Sequence, residues 1–474
     1  MPTSAQRYEF ALSSPLGVPN RVEPGSATYA ADMTSPSPIP SGNPQSALSI
    51  GFLRETAPGE ARVALDPDAV AEFLREGHRV LVESGAGEQA GWADTDFAAA
   101  GATIMPRSGV LDRADVLAAV RLPPAEVTST LREGQSLVSL LDPLQNLDLI
   151  ESLRSRRVTV AAFELLPRTL SRAQSMDALS SQSAAAGYRA AIVAAEAFGG
   201  FFPMMITAAG TARPARVLVI GAGVAGLQAL STARRLGAVV TGYDVRPASR
   251  GEVESVGAVF ATSSVAQGAG SGGYARAMTT EELAAQQQEL SQLITKSDVV
   301  ITTAKVPGRR PPVLVPQETL ASMARGSVCV DLACGPLGGN VHGSVDGRRL
   351  VEANGVTVIG SSDLAATIPT AASRMYAKNV HALVKTLIHG GRLLPDLTDE
   401  LQRSVVVCHD GEIVSPAIRK ALGLGDDPPS ADPPSDAQPT AQPSDAQPTA
   451  QPSAAEPSTA LTSGAETRSE EVRS

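Results

Sequence analysis

The chain reads as an α/β protein: two doubly wound parallel-sheet domains with a cleft between them, and disordered tails at both ends. Three observations predict this. Short apolar runs alternate with helix-length amphipathic segments, the order that gives a parallel sheet with helices on both faces. One strand–turn–helix–strand unit, from Arg216 to Asp244, carries three spaced glycines. Both ends lose every hydrophobic period.

The tails are compositional. Met1–Gln45 is rich in Ser, Pro, Ala and Gly and lacks the basic start, apolar core and cleavage site of a secretory signal. Residues 426–474 contain a nine-residue run at Pro434 that repeats at Pro443. Such segments cannot bury enough apolar surface to offset chain entropy. The expected organisation is a disordered extension over 1–47, a first α/β domain over 48–186 completed by 364–424, a second over 187–363, and a disordered tail over 425–474.

Net charge is −10 over 474 residues, without a basic patch, which argues against nucleic acid. The three cysteines form no C-x-x-C and suggest neither a disulfide framework nor a metal site. A reducing cytoplasm fits them as small buried residues. No segment reads as membrane-spanning: Ala190–Ala209 comes nearest, but Glu196, Gly199, Gly200 and Pro203 interrupt it.

Taken in order, Ser49–Leu53 predicts a strand, Ala69–Glu76 an amphipathic helix stopped by Gly77, and Arg79–Glu83 the next strand. Ala93–Ala100 is helical, Gly101–Met105 extended, and Asp115–Arg121 leads to another strand. Ser136–Ser139, a helix at Leu147–Arg156 and a strand at Thr159–Phe163 follow. No βα turn of this first domain carries a glycine fingerprint, so its fold alone assigns it no ligand. Gly187–Phe198 predicts a long helix joining the halves. Later strands fall near Val259–Ala261, Val299–Thr302, Ser327–Asp331 and Val356–Ile359. Thr367–His389 is a long helix expected to return to the first domain, and Val405–Val414 a small hairpin around Asp410-Gly411.

The glycine unit is the part with chemistry. Arg216–Ile220 is a buried-strand pattern, and Gly221, Gly223 and Gly226 complete G-x-G-x-x-G. The first permits a tight turn, the second close approach of backbone to a pyrophosphate, and the third close packing of helix on strand. Leu227–Leu236 has helical spacing, and its N-terminus favours anions. Val239–Tyr243 is the second strand, and Asp244 closes it where an acid meets adenosine ribose hydroxyls. The unit is therefore Rossmann-like and predicts an adenine dinucleotide. Arg246 is the one feature suggesting a 2′-phosphate; the acid at the strand end repels such a group and favours NAD.

Three further segments carry a resemblance: Ser171–Gln182 (Ser-Arg-Ala-Gln-Ser-Met-Asp-Ala-Leu-Ser-Ser-Gln) leading to Ala186–Arg189, the Gly-rich Ala269–Met278 with its Tyr274, and Ile301–Gly308 preceding Gly326–Ala333. With the fingerprint they resemble the NAD(H)-binding component of proton-translocating NAD(P) transhydrogenase, over about Ser49–Leu424. The resemblance implies that Gln174, Asp177 and Ser180, the catalytic candidates, hold the nicotinamide and its ribose, with Ser181 beside them. It places Val224 in the fingerprint turn, and Asp244, Val245 and Arg246 at the adenosine ribose. Tyr274, with Gly273, would tip a closing loop, while Gln286 and Lys305 would lie at the nucleotide's edge. One residue is inserted at Thr169–Leu170, so either Arg168 or Arg172 takes the family arginine's place. Lys305 replaces a usually apolar residue and would reach either the nucleotide or solvent. Asp177 and Ser180 have another common use, capping the helix that follows.

The resemblance also implies partners: NADP(H) on an NADP-binding beta subunit, membrane subunits that couple to proton movement, and a second copy in a homodimer. The polar C-terminal tail suggests a separately encoded soluble subunit, held at the inner face of the plasma membrane by its partners. Alanine dehydrogenase shares the two-domain plan and is the alternative. Its pattern has a base Lys in the strand matching Val116–Arg121 and a His after the strand at Leu137–Leu140. Here those places hold Arg121 and Asp142, no histidine lies between His78 and His342, and the first lysine is Lys296. Oxidising an amine or alcohol needs a general base. Hydride transfer between two nicotinamides releases no substrate proton and needs only approach, orientation and exclusion of water. A non-catalytic NAD-binding regulator is the remaining possibility.

Overall fold

A computed structural model of the chain describes residues 8–11, 47–261, 279–305 and 310–425. The Gly-rich segment containing Gly273 and Tyr274 lies outside the described residues.

The first sheet has the order Glu412–Ile413, Val406–His409, Thr159–Ala162, Ser136–Ser139, Val116–Ala118, Ser49–Phe52, Arg79–Glu83, Thr103–Met105. The last six are parallel, and Val406–His409 closes the edge antiparallel to Thr159–Ala162. The second sheet runs Tyr8–Ala11, Arg348–Val351, Thr357–Gly360, Val328–Asp331, Val299–Thr302, Arg216–Ile220, Val239–Tyr243, Val259–Ala261. Its last six strands are parallel, while Arg348–Val351 and the four-residue strand of the N-terminal extension add antiparallel.

Both sheets start in the middle, wind outward, then return past the first strand. Each therefore has a reversal point, between Ser49–Phe52 and Val116–Ala118 in one and between Arg216–Ile220 and Val299–Thr302 in the other. Open α/β sheets bind ligands in the crevice at the carboxyl end of such a point.

Strand alternation makes two cores per sheet, because successive side chains point to opposite faces. Val217 and Val219 share a core with Ala190, Ala194 and Leu230, while Leu218 and Ile220 share the opposite one with Leu290, Ile294 and, on the neighbouring strand, Val300. The long helix Pro369–Leu387 buries Tyr376, Val380, Leu383, Val384 and Leu387 in the same core as Ile50, Phe52 and Val82. Each such side chain contributes roughly 1.5–3 kcal/mol, ample reason for a segment so late in sequence to return to the first sheet.

Two boundaries differ from expectation. The fingerprint helix begins at Val224, directly on the glycine turn. The linking helix is Ala178–Ala197 and starts nine residues before Gly187. Asp177 caps it, accepting from the Ser180 amide at 2.8 Å, and the alanine-rich run that follows has high helix propensity. Gly187 lies inside the helix because a Cβ there would stand 2.0 Å from the Ala225 carbonyl oxygen. Patterning also missed the helix Thr280–Ile294 and the hairpin Met205–Thr207 with Gly210–Ala212.

Candidate active site

The fingerprint turn is built from the strand Arg216–Ile220 outward. Gly221 takes φ +100°, a left-handed conformation open to glycine, and its amide donates to the Tyr243 carbonyl at 2.8 Å. A Cβ on Gly226 would lie 1.8 Å from the Gly221 oxygen, so the helix can sit on the turn only with glycine there. A Cβ on Gly223 would meet no protein atom within 4 Å, which leaves the backbone there open to an approaching group. Thr303, just past the strand Val299–Thr302, donates from its hydroxyl to the Gly221 oxygen at 3.0 Å and lines the other side of the reversal point.

Asp244 is buried at the end of Val239–Tyr243 and ties that strand to the turn by accepting from the Ala222 amide at 2.8 Å. Arg246 curls back onto it: the Arg246 amide and Nε donate to Oδ1 at 2.8 and 2.9 Å, and Nη2 donates to Oδ2 at 2.9 Å. The side-chain hydrogen bond that Arg246 donates to Asp244 raises the Arg246 pKa, against burial. The simple picture of a bare acid repelling a 2′-phosphate is thus incomplete, because Arg246 offsets the charge. Val245 packs partly buried against the core beneath, Val224 is exposed at the helix start, Gln286 is buried on Thr280–Ile294, and Lys305 is exposed. Together these groups fit an adenine dinucleotide: open backbone at Gly223, the N-terminus of a 12-residue helix, and an acid beside both.

The second group of predicted residues lies at the other end of the linking helix. Ser171–Met176 is a 3-10 turn, and of the two candidate caps Asp177 is the N-cap, accepting from the Ser180 amide, while Ser180 lies in the first turn of the helix. They do more than cap. Arg168 donates from Nε to Asp177 Oδ2 at 3.0 Å and from Nη2 to the Ser180 hydroxyl at 2.9 Å, and Ser180 donates to Asp177 Oδ2 at 2.6 Å. Arg172 is directed elsewhere, to Asp399. The inserted residue therefore leaves Arg168 in the cluster. Gln174 is exposed on the same turn, whereas the Ser181 hydroxyl turns inward to Asn379.

The two groups share one helix. The Gly187–Ala225 contact places the linking helix against the first turn of the fingerprint helix. Asp177 lies ten residues before Gly187, about 15 Å along the axis at 1.5 Å per residue, a span an extended dinucleotide can bridge.

A buried ionic network, not foreseen from sequence, joins the carboxyl ends of both sheets. Arg62 donates from Nε to Glu60 Oε1 at 2.8 Å, from Nη2 to Glu60 Oε2 at 2.6 Å, and from Nη1 to Gln182 Oε1 at 2.8 Å, and it also pairs with Asp363. Arg121 donates to Glu60 Oε2 at 2.7 Å and to Asp363 Oδ2 at 2.9 Å. Burial alone would raise the Glu60 pKa; the Arg62 hydrogen bond and charge, with Arg121, hold it at about 2. Asp142 stands with φ +46°, its amide donating to Glu164 Oε1 at 2.7 Å. The close spacing of Glu60 and Arg62 was the one legible hint of this network, since charged residues reach the core almost only when paired. Asp331 and Asn340 were also missed. Asp331 takes donors from Thr302, Ala333, Val341 and Ser344, and Asn340 ties the Ala304 backbone to that of Pro312, so both fix the end of Val299–Thr302.

Among the described residues no group of His, Cys, Asp and Glu could hold a metal ion, and no helix is long and apolar enough to cross a membrane.

Residues 51–186 match the alanine dehydrogenase/PNT N-terminal domain family, and residues 190–416 match the alanine dehydrogenase/PNT C-terminal domain family. An NAD(P) transhydrogenase alpha-subunit chain of Rhodospirillum rubrum is 42% identical over 382 residues, covering 78% of this chain and 99% of that protein. NAD(P) transhydrogenase subunit alpha of Cereibacter sphaeroides is 41% identical over 375 residues, covering 78% and 71%. A solved transhydrogenase from Sinorhizobium meliloti superposes with a TM-score of 0.69 at 40% identity, over 77% of this chain and all of that one. The chain belongs to the alanine dehydrogenase/PNT family and, within it, to the NAD(P) transhydrogenase alpha subunits.

Proposed function

We propose that this chain binds NAD(H) along the linking helix, adenosine at Asp244–Arg246 and nicotinamide at Asp177 and Ser180, and exchanges hydride with NADP(H) held on a partner subunit. The nicotinamides supply the hydride chemistry. The protein's role is to bind, orient and exclude water. The Gly221–Gly226 turn and helix N-terminus receive the pyrophosphate. Asp244 accepts from the ribose hydroxyls, competing with Arg246. Arg168, Asp177 and Ser180 are prealigned polar groups for the nicotinamide end, with Gln174 on the same turn, Gln286 and Lys305 at the nucleotide's edge, and Gly273 and Tyr274 as a closing loop.

The observation that carries this reading is Arg121. It stands where a dehydrogenase of this plan needs a base, a guanidinium offers donors and no acceptor, and Glu60 and Asp363 hold it in place. That favours hydride exchange over oxidation of an amino acid. Coupling to proton movement, and attachment to a membrane, fall to partner subunits. A homodimer is the proposed assembly, supported by the exposed apolar residues of the Met205–Ala212 hairpin region.

The test mixes this chain with the NADP-binding component of a transhydrogenase and follows hydride exchange with NADH, using an oxidised nicotinamide analogue as reporter. Exchange is expected in the mixture, with NADH bound more tightly than NADPH by calorimetry. Alanine-dependent NADH production by the chain alone would overturn the reading. NADH binding without exchange in any mixture leaves a regulator instead.

A further inference from the structure

The Asp177–Ser180 cluster is only as well aimed as the turn beneath it, and one side chain from a distant element grips that turn on both sides. Asn379 lies on Pro369–Leu387 and is 6% exposed. Its Nδ2 donates to the Ser175 carbonyl at 2.8 Å, and its Oδ1 accepts from the Ser181 hydroxyl at 2.6 Å. Ser175 lies before the Asp177 cap and Ser181 after it. The same face is braced one residue on, where Gln182 accepts from Arg62 and donates to the Ala372 carbonyl at 3.0 Å.

We infer that Asn379 is a positioning residue for hydride transfer: its buried amide clamps Ser175 and Ser181 and so fixes how Asp177 and Ser180 meet the nicotinamide. The inference rests on the proposed placement of the nicotinamide. A primary amide suits the task, because one planar group supplies a donor and an acceptor at once. It touches neither Asp177 nor Ser180 and reaches them through Ser175 and Ser181. Its loss therefore acts on the reacting geometry, where small misplacements cost rate, and much less on the adenosine and pyrophosphate contacts.

The experiment compares Asn379→Leu, Asn379→Asp and Ser181→Ala in the full chain. With saturating NADH and the NADP-loaded partner, Asn379→Leu should slow exchange about tenfold or more, while the NADH dissociation constant moves less than about twofold. Asn379→Asp keeps the acceptor for Ser181 but sets an oxygen against the Ser175 carbonyl, and should also be slow. Ser181→Ala removes one of the two bonds and should lose less. Combined with Asn379→Leu it should be non-additive, as for groups in one network. In the chain without its partner, amide hydrogen exchange of Asp177–Gln182 should quicken in Asn379→Leu. Unchanged rate with unchanged amide protection overturns the inference, as does an equal loss of binding and rate in all three variants. Should Asn379→Leu not fold, Ser181→Ala and Asn379→Asp decide by the same readouts. Absence of exchange in the unaltered chain would instead overturn the functional reading, with the amide-protection comparison still deciding the clamp.

Discussion

Glu55 and Glu60 are five residues apart, yet their carboxyls are driven in opposite directions. Burial pushes Glu55 up to about 7, aided by the nearby Glu60 charge and opposed by the Val120 amide, which donates to it at 2.6 Å. Arg62 and Arg121 overcome the same burial at Glu60. The difference is whether a cation was folded in beside the acid, which spacing alone does not say. The consequence is a pH dependence. The unfolded chain releases the Glu55 proton near 4.5 and the folded one near 7. Stability from this group is therefore full below pH 4.5 and declines as pH rises towards 7, by about 3 kcal/mol. Glu60 contributes the reverse: stabilisation is present above pH 4.5 and lost as pH falls through about 2. Glu55→Gln keeps an acceptor for Val120 and removes the charge. We expect it to raise unfolding stability at pH 8 by about 1–3 kcal/mol and to have little effect near pH 4.5. Urea melts at the two pH values test this; equal or lower stability at pH 8 would refute the assignment.

Among the described elements, the hairpin Met205–Thr207 with Gly210–Ala212 is left uncovered by its own domain. Ile206 is 73% exposed, Met204 58% and Phe201 56%. Two short strands gain little from each other in water, so a hairpin with bare apolar residues needs a surface to lie on. A second copy of the chain is the proposed occupant. Ile206→Asp together with Met204→Asp is expected to convert a dimer into monomers in sedimentation at micromolar concentration, while leaving NADH binding to each monomer intact. An unaltered chain that already sediments as a monomer would remove the homodimer. At this scale the fingerprint was the most legible region, since glycine spacing, strand and acid all fall within one short stretch. The linking helix was less so: Gly187 looked like a boundary, and only the approach of Ala225 explains a glycine in mid-helix.

On the scale of the whole molecule, the carboxyl ends of the two sheets are joined by Arg62, Glu60, Arg121 and Asp363. Arg62 and Glu60 are both buried, so each is an ion whose desolvation is balanced only by the other and by its remaining partners, Gln182 and Asp363 for Arg62 and Arg121 for Glu60. Removing one partner leaves the other under-compensated, with Arg121 left on Glu60 or Asp363 and Gln182 left on Arg62, at a cost of up to about 3–5 kcal/mol. Arg62→Met is expected to lose about that much in denaturant unfolding, and Glu60→Gln on top of it to recover some of the loss. A loss below about 1 kcal/mol would mean that the network contributes little to stability and water relieves the stranded acid.

The features legible from residue order were local. Alternating apolar runs set two layered sheets because side-chain period is fixed by backbone geometry, and Gly221, Gly223, Gly226 and Asp244 mark a tight glycine turn tied to an acid because that unit fits in about two dozen residues. The folded chain alone shows that Arg168 faces Asp177, that Arg246 folds back on Asp244, that Asn379 holds Ser175 and Ser181, and that Asp363 pairs with Arg62 and Arg121. Apart from the Asp244 pair, those contacts join residues 9 to 301 positions apart, and a hydrogen bond depends on separation in space, to which separation along the chain is no guide until the sheets have closed.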